Sequence, residues 1–411
     1  MMARFVPSRN TVVLGTAVAL VLAALAVTGT MLSAGHASAG RSGSTSGSSG
    51  ASAGPPPDPP LQLVSTPADG ATGFPLDGSL SVAAAGAGGQ LRAVTVTAPS
   101  GQAVPGGLAP SGSWASAPGD VLAPGTTYQI TADGMSRNGH LLHGHSSFTT
   151  LTPLGTLKPS INVGDGQTVG VGMPIVVRFA HSVTDRAAVQ SHLTVTPSIP
   201  VTGAWHWFGP REVHYRPQTY WPSGEQVTMA AQLLGVDAGG NIWGLSNHSV
   251  HFGVGDTHVS TVNTTAHTMT VTDNGHTVRT VPVSTGRTNL PTMNGIHIAL
   301  AKTQNVVMDS ATVGIPRNSP DGYYEHVYWD VAITTGGEYV HAAPWSVGDQ
   351  GRSNVSHGCV NLSPSEATWF YGFSQVGDIV QVTGSSRAPT GDPGTADWNM
   401  SWSQWLAGTA A

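Results

Sequence analysis

The chain has 411 residues, enough for two to four domains that each bury a core of their own. Only 9% of the residues are charged, Lys158 and Lys302 are the only lysines and the net charge is −6, so there is no basic patch to neutralise phosphates and nucleic acid is a poor candidate partner. With 53 Gly, 29 Pro and few helix-period runs, the composition predicts strands joined by turns, a mostly β fold.

Arg4 and Arg9 precede an apolar run from Thr11 to Leu32, and Ala37-Ser38-Ala39 follows as a small-residue site of the signal-peptidase type. The run is also long enough to cross a bilayer, which needs ~20 residues. Residues 1–39 are therefore expected to be a cleaved signal peptide or an anchor that tethers the protein through residues 11–32. Either way the rest of the chain is expected outside the cytoplasm, in the cell wall or on the outer face of the cytoplasmic membrane. Residues 40–60 are Gly/Ser-rich and then proline-dense from Pro55 to Pro60, the composition of a linker that is flexible first and stiffer later.

Residues 61–152 carry short alternating runs such as Ala93–Thr97 and Tyr128–Ala132 between Pro, Gly, Asp and Asn turns. Residues 153–253 repeat the layout. Trp114 recurs as Trp205, and Ala132-Asp133-Gly134 followed by Asn138-Gly139 recurs as Val236-Asp237-Ala238-Gly239-Gly240-Asn241. The spacing fits two tandem immunoglobulin-like β-sandwiches, with both tryptophans in the cores. His140, His143 and His145 suggest a metal cluster at first sight. They read better as a solvated loop, because no carboxylate or cysteine is near them in sequence.

The third region, 254–383, opens with a hairpin in which 267–272 and 277–281 flank Asp273-Asn274-Gly275-His276, with Asn-Gly able to take positive φ. Further strands are expected at 295–300, 305–308, 328–333 and 338–340, and a closing strand at 378–382. Ser363-Pro364-Ser365-Glu366 supplies an N-cap, a proline at the first helical position and a glutamate at the third, so a helix is expected from Pro364 to about Phe373.

Cys359 is the only cysteine, which excludes an intrachain disulfide and makes an exported thiol suspicious unless it is buried or used. It sits in Ser356-His357-Gly358-Cys359-Val360-Asn361, with His341 upstream in Tyr339-Val340-His341-Ala342-Ala343-Pro344-Trp345. An imidazole that takes the thiol proton creates the thiolate that attacks a carbonyl. Histidine suits the task because its pKa lies near neutrality. Gly358 lets a substrate approach the backbone, and amides near Gly358 and Cys359 could stabilise an oxyanion. The bland alternative is a buried small hydrophobe beside a satisfied core histidine.

This pattern resembles the signature of the L,D-transpeptidase catalytic domain (the YkuD family). Met308-Asp309-Ser310, Asn318-Ser319-Pro320-Asp321-Gly322-Tyr323, Gly377-Asp378-Ile379-Val380 and the tail from Trp398 to Trp405 are similar to the mycobacterial type, which carries immunoglobulin-like domains ahead of the catalytic domain and a C-terminal extension packed back on it. The resemblance implies that Cys359 is the nucleophile and His341 the base. The carbonyl of Gly336 would orient the histidine, and Gly358 with Tyr323 would serve the oxyanion. His357, Met308 and Trp345 would line the substrate cleft, with Ser356 and Asn361 supporting the loop. It also implies peptidoglycan stem peptides as donor and acceptor, 3→3 cross-links made through a thioester, and acylation of Cys359 by carbapenem-type β-lactams. The chain departs from the mycobacterial pattern at Val313 and Ala342.

Residues 384–411 form the extension, whose Trp398, Trp402 and Trp405 have the spacing of one helical face and are expected to pack on the catalytic domain. An L,D-carboxypeptidase using the same site and a non-catalytic wall-binding protein are the alternative functions. No metal or organic cofactor is expected, since no cluster shows ligand spacing.

Overall fold

The computed structural model describes residues 62–85, 90–136, 139 and 141–410, so the expected export segment and linker lie outside the described residues. The architecture is mostly β, with short helices. Among the described residues no helix is long and apolar enough to cross a membrane.

The first pair of sheets is built from Gln62–Thr66, Ser81–Ala85, Trp114–Ser116 and Gly106–Leu108 on one side and from Ala71–Phe74, Leu141–Thr150, Thr127–Met135 and Gln90–Thr97 on the other. Period-two burial along Thr127–Met135 sends Tyr128, Ile130 and Ala132 inward. They meet Phe148, Val96 and the buried Trp114. His143 lies opposite Asp133 across this hairpin, with Nδ1 of the exposed imidazole 2.6 Å from the carboxylate. His143 and His145 thus lie on the strand Leu141–Thr150 and not in a loop, and the carboxylate missing from the local sequence comes from the cross-strand partner.

The second pair joins Pro159–Ile161, Ile175–Phe179, Glu212–Pro217 and Gly203–Trp207 in one sheet and Thr168–Val169, His248–Val254, Gln226–Ala231 and Leu193–Pro197 in the other. Trp205, Trp207 and Trp221 fill its core, and the Trp221 indole donates to the Met173 carbonyl at 2.7 Å. Ile298 and Ile379 from the region that follows belong to the same apolar cluster. Gly170 and Gly172 permit the contact: a Cβ on Gly170 would lie 2.2 Å from the Asp378 nitrogen, and one on Gly172 would lie 2.2 Å from the Ile379 side chain.

The third region holds a five-stranded sheet ordered His276–Pro282, Thr268–Asp273, His258–Asn263, Ile379–Thr383, Gly295–Ile298. A four-stranded sheet runs Ala301–Asp309, Tyr324–Ala332, Tyr339–Ala342, Val360–Leu362. The hairpin turns at Asn274 and Gly275, which take φ of 48° and 81°. The helix spans Pro364–Phe373, and the Ser363 hydroxyl accepts from the Glu366 amide. Its Ala367 and Phe370 close the core over Val331, Val340, Val360 and Leu362.

The C-terminal extension differs from the expectation of a single helical face. Met400 and Ser401 are extended, so two short helices form, Ala396–Asn399 and Trp402–Leu406. All three tryptophans surround the Arg216 guanidinium of the second sandwich at 4.6–5.2 Å, and the Trp405 indole donates to the Ala204 carbonyl at 2.9 Å. On the catalytic region the extension is held by Asn399, which bonds the backbone of Ile296, and by Arg387, which bonds Glu338 and the Asn294 amide. The extension therefore straps sandwich to catalytic region, with the buried Arg216 guanidinium packed among the three rings and donating to the Pro217 and Met400 carbonyls.

Candidate active site

Strand pairing brings the two reactive side chains together. His341 lies in Tyr339–Ala342, whose parallel neighbour is Val360–Leu362, in register Val340 with Val360 and His341 with Asn361. Cys359 is the residue just before that neighbour. Both line one cavity of about 210 Å³ with Met308, Tyr323, Glu325, Trp345, Val355, Ser356, His357 and Asn361. A second cavity, of about 400 Å³, also reaches Cys359, Tyr323 and His357, and is completed by Gly336, Gly337, Glu338, Arg387 and residues from 289–291, 313 and 315.

The loop that presents the sulfur is held by one hydroxyl. Ser356 Oγ accepts from the Gly358 amide at 3.1 Å and donates to the Cys359 carbonyl at 2.6 Å. The segment Ser284–Arg287 ties the loop's outer side, with Ser356 donating its amide to Thr285 and accepting from the Arg287 amide. Gly358 has φ of 131°, and a Cβ there would sit 3.0 Å from Glu338 Oε1, so only glycine fits. Asn361 donates to Ser346 Oγ at 3.0 Å and so fixes the Pro344–Ser346 turn that carries Trp345.

His341 is buried, and its Nδ1 lies 2.9 Å from the Ala342 carbonyl. A carbonyl only accepts, so Nδ1 carries the proton and Nε2 is the basic nitrogen of the neutral ring. The orienting carbonyl is therefore that of Ala342, where the sequence reading expected Gly336. The ring folds back on its own strand, and Gly336 instead lines the second cavity. The neighbouring Gly337 carbonyl is the acceptor near the thiol, 3.9 Å from Cys359 Sγ.

Burial holds the His341 imidazole down at about 4, opposed only by its backbone bond. Burial also pushes the Cys359 thiol up to about 12, and the charges of Glu338 and Asp330 add to the rise. Resting thiol and imidazole are both neutral.

Tyr323 packs on His357 with ring centroids 4.8 Å apart, and its phenol is raised by burial. Tyr324 turns outward under Arg317. His357 is lowered by burial and then by Arg287, which is itself paired with Asp321. Trp345, 53% exposed, stands 6.1 Å from the His341 ring at the mouth.

Sequence reasoning did not single out Glu325, Glu338, Arg387 or Asp330. Glu338 follows the Gly336-Gly337 turn, where a carboxylate immediately ahead of the core strand Tyr339–Ala342 is itself a signal. Asp330 is 1% exposed, and neither carboxylate oxygen has a hydrogen-bond partner. Burial alone pushes it up to about 7. A cluster that spacing did not reveal lies away from this site: Asp256, His258 and Asp273 bring ligand-type atoms within 4.8 Å of one another. His258 Nδ1 is 3.0 Å from Asp378, and that bond leads the rise of its pKa, so the group holds together as an ion-paired histidine.

Comparison with known proteins places this geometry. Residues 257–382 match the L,D-transpeptidase catalytic domain family and residues 71–237 the bacterial Ig domain family. L,D-transpeptidase 2 of Mycobacterium tuberculosis is 39% identical over 351 residues, covering 85% of this chain and 85% of the relative. L,D-transpeptidase 1 of the same species is 40% identical over 225 residues, 55% of this chain and 84% of the relative. A solved LD transpeptidase in complex with imipenem superposes with a TM-score of 0.50 at 38% identity, covering 56% of this chain and 100% of the other. With a relative that similar along both the sandwich and catalytic parts, the chain belongs to the L,D-transpeptidase family, and it is an enzyme of that class.

Proposed function

We propose that this L,D-transpeptidase forms 3→3 cross-links between peptidoglycan stem peptides through a thioester on Cys359. The observation that carries the reading is the single cavity that holds the lone thiol and a buried imidazole whose free nitrogen is basic. In the first half-reaction Cys359 Sγ attacks the carbonyl between the third and fourth stem residues while His341 Nε2 takes the thiol proton. The carbon–nitrogen bond breaks, that proton goes to the departing amine, and D-alanine leaves. The Gly358 amide is turned onto Ser356, so the Cys359 amide is the loop donor for the oxyanion, with the Tyr323 hydroxyl on the cavity wall. In the second half-reaction the amine of a neighbouring diaminopimelate attacks the thioester, gives its proton to His341, and the thiol is regenerated.

Two neutral partners suit this chemistry. A thiolate–imidazolium pair would be penalised by burial at rest, so proton transfer accompanies attack. Carbapenem-type β-lactams are expected to acylate Cys359, and the imipenem complex of a similar enzyme supports that reading.

Residues 1–39 as signal or anchor and 40–60 as linker would set the sandwiches (61–152 and 153–253), the catalytic domain (254–383) and the extension (384–411) outside the cytoplasm. The test is to incubate the purified protein with muropeptides and weigh the products. Cross-linked dimers are expected, and they should vanish in Cys359→Ala. Trimmed monomers alone would make the enzyme an L,D-carboxypeptidase, and unchanged products from Cys359→Ala would refute the thioester.

A further inference from the structure

The two cavities that meet at Cys359 differ in charge. The smaller, on the His341 and Trp345 side, contains no lysine or arginine among its lining residues. The larger contains Arg387, the one such cation lining either of them, together with Glu338. Arg387 Nη1 donates to Glu338 Oε1 at 2.6 Å, and its side chain remains 43% exposed. A guanidinium carries five N–H donors in a planar fork, so one bond to Glu338 leaves donors for a ligand.

Glu338 is 5% exposed and fixed from several directions. Its Oε1 accepts from the Met293 amide at 3.1 Å, its own amide donates to Thr334 Oγ1 at 3.0 Å, and the same Oε1 lies 3.0 Å from the point where Gly358 would carry a Cβ. Gly358 adjoins the nucleophile. Glu338 thus packs close behind the loop that carries the nucleophile, and the half-exposed Arg387 guanidinium lines the same cavity as Cys359. Arg387 is anchored by its backbone as well, since its carbonyl accepts from the Asn294 amide at 2.8 Å.

The proposed transpeptidation needs an acceptor whose attacking amine stands on a carbon that also carries a carboxylate. A cavity next to the thioester with a single available cation matches that pair of charges: carboxylate to the guanidinium, amine toward the sulfur. We propose that the larger cavity is the acceptor subsite, that Arg387 grips the carboxylate beside the attacking amine, and that Glu338 is the positioning residue that aims Arg387. The assignment rests on the transpeptidase reading above. It also gives the ion pair of the buried Glu338 with the half-exposed Arg387 a purpose, because an arginine held on one side offers its remaining donors in a fixed plane. Burial holds the Glu338 carboxyl up at about 7 against the pull of Arg387. A second positive charge nearby, the acceptor's ammonium, would favour its ionised form.

The experiment fixes the donor tetrapeptide and varies the acceptor. One acceptor is L-alanyl-D-isoglutamyl-meso-diaminopimelate, and the other is the same tripeptide with an amide in place of the carboxylate next to the attacking amine. For the wild type, amidation should raise the acceptor KM roughly tenfold, as loss of a charge-assisted bond of about 1.4 kcal/mol would do. Arg387→Gln should raise the KM for the free-carboxylate acceptor by a similar factor and remove the difference between the two acceptors, with kcat at saturation changing less. Arg387→Lys should restore part of the preference, and Glu338→Gln should weaken it.

Equal discrimination in wild type and Arg387→Gln would overturn the proposal, as would a wild type that does not discriminate. Calorimetry with the free-carboxylate tripeptide on Cys359→Ala and on Cys359→Ala/Arg387→Gln reads the subsite without turnover. Equal affinities there would also sink it. Should the wild type make no cross-link while imipenem still acylates Cys359, the transpeptidase reading is what fails, and the calorimetric arm still decides whether Arg387 binds a carboxylate.

Discussion

Cys359 and His341 sit in surroundings that remove charge from both. The thiol is pushed up to about 12 and the imidazole held down at about 4, each chiefly by burial. A base that is neutral at working pH can accept the thiol proton only as the sulfur begins to bond to carbon, and the tautomer set by the Ala342 carbonyl keeps Nε2 ready for it. In nitrogen-detected NMR, His341 should show the neutral, Nδ1-protonated ring from about pH 8 down to about pH 5. It should gain a proton only as the pH falls toward about 4. A midpoint near 6.5 would mean that the ring is solvated and that the neutral pair is wrong. The candidate pair itself was legible, because a single thiol in an exported chain with a histidine eighteen residues upstream is a chemical anomaly. Its protonation state was not, since desolvation depends on residues distant in sequence.

At the scale of elements, one bulge decides where a charge goes. Tyr324–Ala332 pairs with Tyr339–Ala342 as Tyr328 with Ala342 and then Val331 with Val340, three steps against two. Trp329 takes φ of 59° there, and both Asp330 and Val331 end up buried. Simple alternation along Tyr-Trp-Asp-Val would have buried only one of the two, so a period-two reading of the strand could not find Asp330. Its carboxyl is raised from 3.8 to about 7. The folded protein therefore keeps a proton that the unfolded chain loses, and stability falls as the pH rises through that interval. Asp330→Asn removes the titration. Relative to wild type, the variant should gain stability at pH 8 over pH 4 by on the order of 2–4 kcal/mol, read from denaturant unfolding at the two pH values. A difference independent of pH would show that Asp330 is ionised in the folded state. The helix at Pro364–Phe373, by contrast, was fully legible, because Ser363, Pro364 and Glu366 state its start in local chemistry.

For the whole molecule, sandwich and catalytic region share one apolar cluster, with Ile298 and Ile379 packed among residues of the second sandwich. The approach depends on two glycines. Gly170 donates its amide to the Val376 carbonyl at 2.8 Å, and Gly172 donates to Gly377 at 2.9 Å. Gly170→Ala drives a methyl into the Asp378 backbone, and a cost of about 1–3 kcal/mol is expected from such overpacking. Calorimetry should show a lower melting temperature, with the sandwich and catalytic transitions drawing apart. An unchanged melting profile would mean that the interface yields freely. Nothing local in Val-Gly-Val-Gly-Met announces that role.

What the sequence determined by itself was whatever rests on neighbours along the chain: the β class from turn residues and alternation, the helix from its serine N-cap and first-turn proline, and the lone thiol in a signature that resembles a known catalytic domain. Only the tertiary structure decided which carbonyl orients His341, that Asp330 lies buried, that three tryptophans converge on Arg216 of a sandwich, and that Arg387 and Glu338 line a cavity with Cys359. Ala342 adjoins His341 in sequence, and there only the direction in which the ring folds was hidden; the other three share one physical reason. Desolvation, charge pairing and close approach act through space, and the residues that exert them here come from strands and loops whose separation in sequence carries no trace of the contact.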